Sequence, residues 1–318
     1  MMGSMKRHRI FVLAILMATG MSVMNAQQEA MYTHYMFNTL AVNPAYAGSR
    51  DALTSTLLHR SQWVSFPGAP VTQTLTVHGP AFDRKVGLGL SVVNDKAGPM
   101  KQTSVAIDAN YIMYLNQKDK LAFGIKGGFE FFRGEFADIM TPEADVVDNV
   151  FGVNVGSKAL PNFGAGVYYY KPKMYLGLSV PGLLQNEYTA DGNEDALSTF
   201  TRERHFYFIA GAVIDLDFDW KLKPTSFVKM TPGAPVEIDI TPTFLYQEKY
   251  NLGVMFRSGD AVGLLAGMMI NEQLMASYSF DWSFTNPTGK YNGGSHELML
   301  RYDFIYKRRR RIKSPRYF

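Results

Sequence analysis

The residues that could do chemistry in this chain are few and scattered. Beyond the N-terminal leader stand five histidines, His34, His59, His78, His205 and His296, and their spacing gathers no imidazoles around a metal ion. Asp215, Asp217 and Asp219 alternate with Leu216, Phe218 and Trp220, so three carboxylates share one face beside a short turn. Such a rim can hold a cation, although acidic turn residues are more commonly just solvated. The run Asp191, Gly192, Asn193, Glu194, Asp195 resembles the start of a calcium loop but lacks its next glycine and distal glutamate. No G-x-S-x-G elbow is present. Cysteine is absent, which excludes thiol nucleophiles, disulfides, cysteine-held zinc or iron–sulfur clusters and a lipidated N-terminal Cys. A hydrolase assembling Ser, His and Asp from separate parts of the chain stays open as a minor reading. The residues themselves point to no catalytic group, no metal and no cofactor.

The elements that must position these side chains are strands. In 120–131, Leu121, Phe123, Ile125, Phe129 and Phe131 fall on one face, while Lys120, Ala122, Gly124, Lys126, Gly128 and Glu130 fall on the other. The same period of two recurs with Val86, Leu88, Leu90 and Val92, with Tyr250, Leu252, Val254 and Phe256, and with Leu274, Ala276, Tyr278, Phe280 and Trp282. Period-two alternation sets one face in an apolar medium and the other against water or small side chains. The longest apolar run after the leader, 261–270, is too short for a membrane helix. The fold class is therefore all-β.

Composition and charge narrow the setting. Among 318 residues, 22 Phe, 18 Tyr and 3 Trp accompany 28 Gly, an uncommon pairing for a soluble enzyme, and 47% apolar residues argue against a disordered chain. Lys6, Arg7 and Arg9 precede a short apolar stretch, and Ala26 followed by Gln27 reads as a cleavage point, so 1–26 is expected to be a secretory signal peptide. Losing those three cations takes the net charge from +4 to +1. Lys307, Arg308, Arg309, Arg310, Arg311, Lys313 and Arg316 carry +7, which leaves 27–306 near −6 (+1 less +7). The basicity is a tail, and an exported chain with an acidic body is not expected to bind nucleic acid.

Connection lengths separate a soluble sandwich from a membrane barrel. Breakers at 66–68, 82–84, 95–100, 116–119, 134–157, 171–173, 183–201, 217–220, 230–235, 247–249, 258–260, 271–273 and 285–292 give thirteen connections and fourteen strands. Every second one, from 82–84 onward, is tight, and the two longest both belong to the other set. One rim of short turns, one of longer loops and an even strand number are expected of a transmembrane antiparallel barrel with periplasmic turns and extracellular loops. A Greek-key sandwich has no reason to sort its loops this way. The strand from Ser295 to Phe304 ends in an aromatic, as barrel-closing strands commonly do.

The two ends carry the most specific signals. Residues 31–49 are apolar and aromatic without strand alternation, and Asn43-Pro44 forces a turn. An apolar segment at the start of a barrel must be covered, either inside the lumen or by a partner. The run Tyr35, Met36, Phe37, Asn38 through Asn43, Pro44, Ala45, Tyr46, Ala47, Gly48 and Ser49 resembles the N-terminal signature of the PorP/SprF family of Bacteroidetes outer-membrane proteins. Arg60, Gln62, Trp63, Gly68, Ala69, Pro70 and Thr72 are similar to that family's next stretch of sequence, and Ser295-His296-Glu297, Tyr302-Asp303-Phe304 and Ser314 to Phe318 are similar to its ending. The similarity spans the mature chain. It lies nearest the branch used in type IX secretion, with a gliding-motility relative as the alternative.

That resemblance implies a non-enzymatic role in the outer membrane, with the periplasmic ring and peptidoglycan-anchoring components of the type IX machinery as partners and, on the longer loops, C-terminal domains of secreted cargo. It implies leader 1–26, a periplasmic or lumen-plug segment 27–51, a barrel 52–306 of about 14 strands, and a basic tail 307–318, with both termini in the periplasm. The candidate partner-binding residues are Tyr35, Phe37, Asn38, Asn43, Pro44, Tyr46, Arg60, Trp63, Arg308, Arg309, Arg310, Arg311, Arg316, Tyr317 and Phe318. A passive channel or hydrophobic-substrate transporter of similar strand number is the competing class.

Overall fold

The computed structural model describes residues 31–135, 155–189, 199–201, 203–284, 293–305 and 317. The expected leader 1–26, the middles of the two longest connections and the basic residues from Lys307 to Arg316 lie outside the described residues.

In hydrocarbon no solvent can satisfy an open strand edge, so strands that cross it must close on themselves. Here they do. The first half of the sheet comprises β1 (Leu53–Ser61), β2 (Val71–Ala81), β3 (Val86–Ala97), β4 (Met100–Tyr114), β5 (Lys120–Gly134), β6 (Val155–Lys171) and β7 (Met174–Val180). A ribbon of β8 (Glu187–Thr189) and β9 (Thr199–Thr201) stands apart and pairs only with itself. The second half is β10 (Phe206–Ala212) with its short continuation β11 (Ile214–Asp215), then β12 (Trp220–Met230), β13 (Glu237–Tyr246), β14 (Tyr250–Arg257), β15 (Ala261–Met269), β16 (Leu274–Ser283) and β17 (Ser295–Phe304). Counting β10 and β11 as one stave gives fourteen, all antiparallel. β1 pairs with β17 from Leu53↔Phe304 to Ser61↔His296, and β10 pairs with β12 from Phe206↔Met230 to Gly211↔Thr225, so the ring closes.

The alternation read from the sequence sets the faces. On β5, Phe123, Ile125, Phe129 and Phe131 are exposed, whereas Ala122, Glu130 and Phe132 are buried. On β17, Leu298, Leu300 and Phe304 point outward, and Glu297, Arg301 and Asp303 inward. Charges inside and aliphatic side chains outside invert the pattern of a soluble domain. Phe82, Tyr111, Tyr114, Phe218, Trp220 and Tyr250 stand exposed near one rim, where aromatic side chains suit the membrane interface. Among the described residues no helix is long and apolar enough to cross a membrane.

The connections sort into two rims. One holds the tight turns 82–85, 115–119, 172–173, 216–219, 247–249 and 270–273; the other holds 62–70, 135–154, 181–205, 231–236 and 284–294. One expected loop is corrected. At 95–100 the ladder continues through Asp95↔Gln102, Lys96↔Lys101 and Ala97↔Met100, leaving only Gly98 and Pro99 as the turn. Gly98 makes this possible because it adopts φ +55°, which favours glycine. The connection 258–260 on the same rim is also short, at three residues.

Ile125, 67% exposed in the middle of β5, faces the hydrocarbon. Ile125→Arg should destabilise the folded barrel by ~2–4 kcal/mol in lipid vesicles, while Ile125→Leu should be nearly silent, as read from urea unfolding.

Candidate functional site

Residues 31–51 run through the barrel interior. The segment joins β1 at the short-turn rim and reaches toward the long-loop rim, where the Met31 sulfur, Tyr32, Thr33 and His34 meet Lys229, Thr74, Asp281 and Glu297. Two 3-10 turns, Thr39–Ala41 and Pro44–Tyr46, compact it. Asn43 caps the second: its side-chain oxygen accepts from the Ala45 N–H at 2.9 Å, and Pro44 occupies the first helical position, where its missing donor costs nothing.

The lumen wall is cut to receive this backbone. A Cβ on Gly87 would lie 2.0 Å from the Ala47 carbonyl oxygen, and one on Gly124 would lie 2.3 Å from the Ala45 nitrogen. Only glycine permits those approaches. Polar wall residues then satisfy the backbone groups that regular structure leaves open. Asn110 donates to the carbonyls of Ala45 at 2.6 Å and Ala47 at 2.7 Å, Ser179 donates to that of Val42 at 2.6 Å, and the Gly48 N–H donates to His78 Nδ1 at 3.0 Å.

The anchors nearest the long-loop rim are ionic. Arg60 Nη1 lies 2.7 Å from Asp281 Oδ2 and 3.0 Å from Glu297 Oε2. Glu297 also accepts the backbone N–H groups of Thr33 at 3.0 Å and His34 at 2.8 Å, and sits 2.6 Å from His34 Nδ1. His34 Nε2 reaches Ser277 Oγ at 2.8 Å, and Thr33 Oγ1 donates to Asp281 at 2.5 Å. Arg60, Asp281, Glu297 and His34 are all buried. Near the other rim, Arg50 Nη2 lies 2.9 Å from Asp303 Oδ2.

The candidate residues from the sequence thus divide. Tyr35, Phe37, Asn38, Asn43, Pro44 and Tyr46 are buried in the interior segment. The Tyr35 hydroxyl pairs with Thr225 at 3.1 Å. Asn38 Oδ1 accepts from Thr76 at 2.7 Å, and the Tyr46 ring packs against His78 and Tyr168. Phe37 lies beneath two cations, Lys223 and Arg301. Arg60 belongs to the ionic anchor. Trp63 sits apart in the connection 62–70, with its backbone N–H donating to Ser295 Oγ at 3.1 Å. Arg308, Arg309, Arg310, Arg311, Arg316 and Phe318 lie outside the described residues. Tyr317 rests on β12 and the turn 247–249.

Sequence reasoning does not bring His34, Asp281 and Glu297 together as one site. The available signal is a charge at an inward position of an otherwise apolar-alternating strand. Among the described residues no three His, Asp or Glu side chains gather to hold a metal. Asp215 instead pairs with Lys173 and Lys221, and Asp219 takes the Gln247 amide at 3.2 Å; the 191–195 run lies outside the described residues. A cavity of about 110 Å³ remains beside the segment, between Tyr32, Tyr35 and Phe227 on one side and Asp95, Lys126 and Glu130 on the other.

Removing one member of a buried ion cluster leaves the others desolvated and unpaired. Arg60→Met should therefore cost ~3–5 kcal/mol in urea unfolding from lipid vesicles, while Leu57→Met on the lipid face of the same strand should cost little.

Residues 24–302 match the family model described as "Type IX secretion system membrane protein PorP/SprF". Among solved structures, a Pseudomonas aeruginosa FadL homologue aligns with a TM-score of 0.49 at 11% identity, covering 84% of this chain and 94% of that one. The CymD monoaromatic hydrocarbon channel aligns with a TM-score of 0.50 at 9% identity, covering 85% and 93%. At such identities the likeness concerns the barrel fold alone. No curated protein sequence matches the chain significantly.

Proposed function

The chain belongs to the PorP/SprF family of type IX secretion membrane proteins, and from that premise we propose that it is a non-enzymatic docking barrel of the outer membrane, closed by its own N-terminal segment. The observation that carries this reading is the filled interior. Residues 31–47 are almost wholly buried, and their polar groups are bonded to the lumen wall. A barrel that spends its inward charges on fixing a segment of its own chain is built to hold a shape rather than to pass solutes.

The short-turn rim then faces the periplasm. β1 begins and β17 ends on that side, so the tail 307–318 emerges there, while the chain before β1 turns up into the lumen rather than hanging below it. Seven cations among Lys307, Arg308, Arg309, Arg310, Arg311, Lys313 and Arg316 suit acidic protein surfaces or anionic cell-wall material, with periplasmic ring and peptidoglycan-anchoring components as the partners. The longer loops on the opposite rim suit recognition of C-terminal domains of secreted cargo, because loops on a rigid scaffold carry recognition. Gliding-motility assembly would use the same surfaces.

A second reading, a transporter of hydrophobic solutes, draws on the cavity beside Tyr35 and Phe227. It requires uptake of an apolar solute such as a monoaromatic into proteoliposomes; the docking reading requires none.

Crosslinking in native outer membranes, with purification and partner identification, tests the docking reading. The full chain should recover periplasmic ring or anchoring proteins. Deleting 307–318 should cut that recovery several-fold, with the loss shrinking as salt is raised. Recovery of the full-length barrel alone, under conditions that preserve other complexes, would contradict the docking role, and unchanged recovery after the deletion would remove the tail from it.

A further inference from the structure

On the lipid side of the barrel, β3, β4 and β5 end at the long-loop rim in a row of like charges. Lys96 lies opposite Lys101, and Lys101 lies opposite Arg133. All three side chains are exposed on the outward face of their strands. One outward step below them come Asn94, Thr103 and Phe131, and one step further Val92, Val105 and Phe129. The Thr103 hydroxyl donates to Asn94 Oδ1 at 3.0 Å, so a polar step separates the apolar band from the cations. A single carboxylate, Glu135, reaches the row, 3.1 Å from Lys101 Nζ and 3.3 Å from Arg133 Nη2. Three cations and that one anion sum to +2. Among the described residues, no other strand carries a lysine or arginine outward at this rim.

We propose that this row seats a phosphorylated glycolipid of the outer leaflet, with its phosphates on Lys96, Lys101 and Arg133 and its acyl chains along the apolar band below. Like charges placed directly opposite one another weaken a sheet, and an anion that bridges them reverses the sign. Two interstrand spacings make the row about 10 Å long. A head group with two phosphates on a sugar core can cover that length, whereas a single phosphodiester meets only part of it. The Arg133 guanidinium suits a phosphate bidentately, and the two lysines act as point charges. Glu135 opposes the ligand and limits its affinity. The site shares with the docking reading only the orientation of the rims.

The test uses the full chain folded in mild detergent, with native mass spectrometry counting bound lipid. The probes are diphosphoryl lipid A and phosphatidylglycerol, with inorganic phosphate as competitor. Diphosphoryl lipid A should be retained about tenfold better than phosphatidylglycerol, the factor that one more charge-assisted contact carries. Lys101→Gln/Arg133→Gln should lower its retention about tenfold or more, while Glu135→Gln should raise it several-fold. Lys118→Gln, in a tight turn at the opposite rim, should change nothing. These positions are exposed, so each variant should unfold in urea where the parent chain does. Equal retention of the two lipids, retention unchanged in the double variant, an equal loss in Lys118→Gln, or displacement of the lipid by inorganic phosphate would each overturn the site. No partner protein enters the assay, so its failure and a failure of the crosslinking are separate results.

Discussion

The interior of this barrel depends on the desolvated ion cluster that joins Arg60 to Asp281 and Glu297. Three charges on three strands, one guanidinium against two carboxylates and nearly free of solvent, are tolerable because each carboxylate is paired with Arg60 and because further donors take up the remaining lone pairs. The N-terminal segment supplies part of that satisfaction, through the N–H groups of Thr33 and His34, the Thr33 hydroxyl and the His34 ring. Wall and segment complete each other. Without the segment, Glu297 faces an open lumen; without the wall charges, the backbone of 33–34 has no acceptor. β1, β16 and β17, which carry the three charges, are also the staves that meet where the barrel's two ends join, so the segment is fastened across the seam.

The rest of the interior extends the same principle from charge to shape. Glycines on β3 and β5 bring the wall close enough for Ala45 and Ala47 to lie against it, and Asn110 then reaches both of their carbonyls. Arg50 with Asp303 secures the lower end, and Tyr35 with Thr225 the middle. No α-helix or long strand would fit these irregular acceptors; two short 3-10 turns with an asparagine cap do. The outside face needs no such detail. Alternating aliphatic and aromatic side chains meet lipid, and closure leaves no unpaired edge.

The fold is legible because its period is two and its turns are marked. Leu121, Phe123, Ile125, Phe129 and Phe131 announce both a strand and the side that faces lipid, and the short turns repeat at every second connection. The turn at Gly98 reads too long because Asp95, Lys96 and Met100 look like loop residues, although the ladder carries them to the rim. The interior site is legible only in part. The apolar run from Met31 to Ser49 asks for cover, and Asn43-Pro44 marks a turn. The partners of that run stay hidden, since Thr33 and Glu297 are separated by nearly the whole chain and only barrel closure makes them neighbours. A family resemblance brings Arg60 and Tyr317 into view as candidates for outside contacts. The structure gives both of them intramolecular partners, with Arg60 in the lumen and Tyr317 at its mouth.

The proposed reading makes this barrel a closed scaffold, because its inward charges hold its own N-terminal segment. Planar-bilayer recording of the full chain tests that most directly. The intact chain should leave the membrane quiet, with no steady conductance across ordinary voltages. A large ohmic conductance from the intact chain would contradict it and make the barrel a channel.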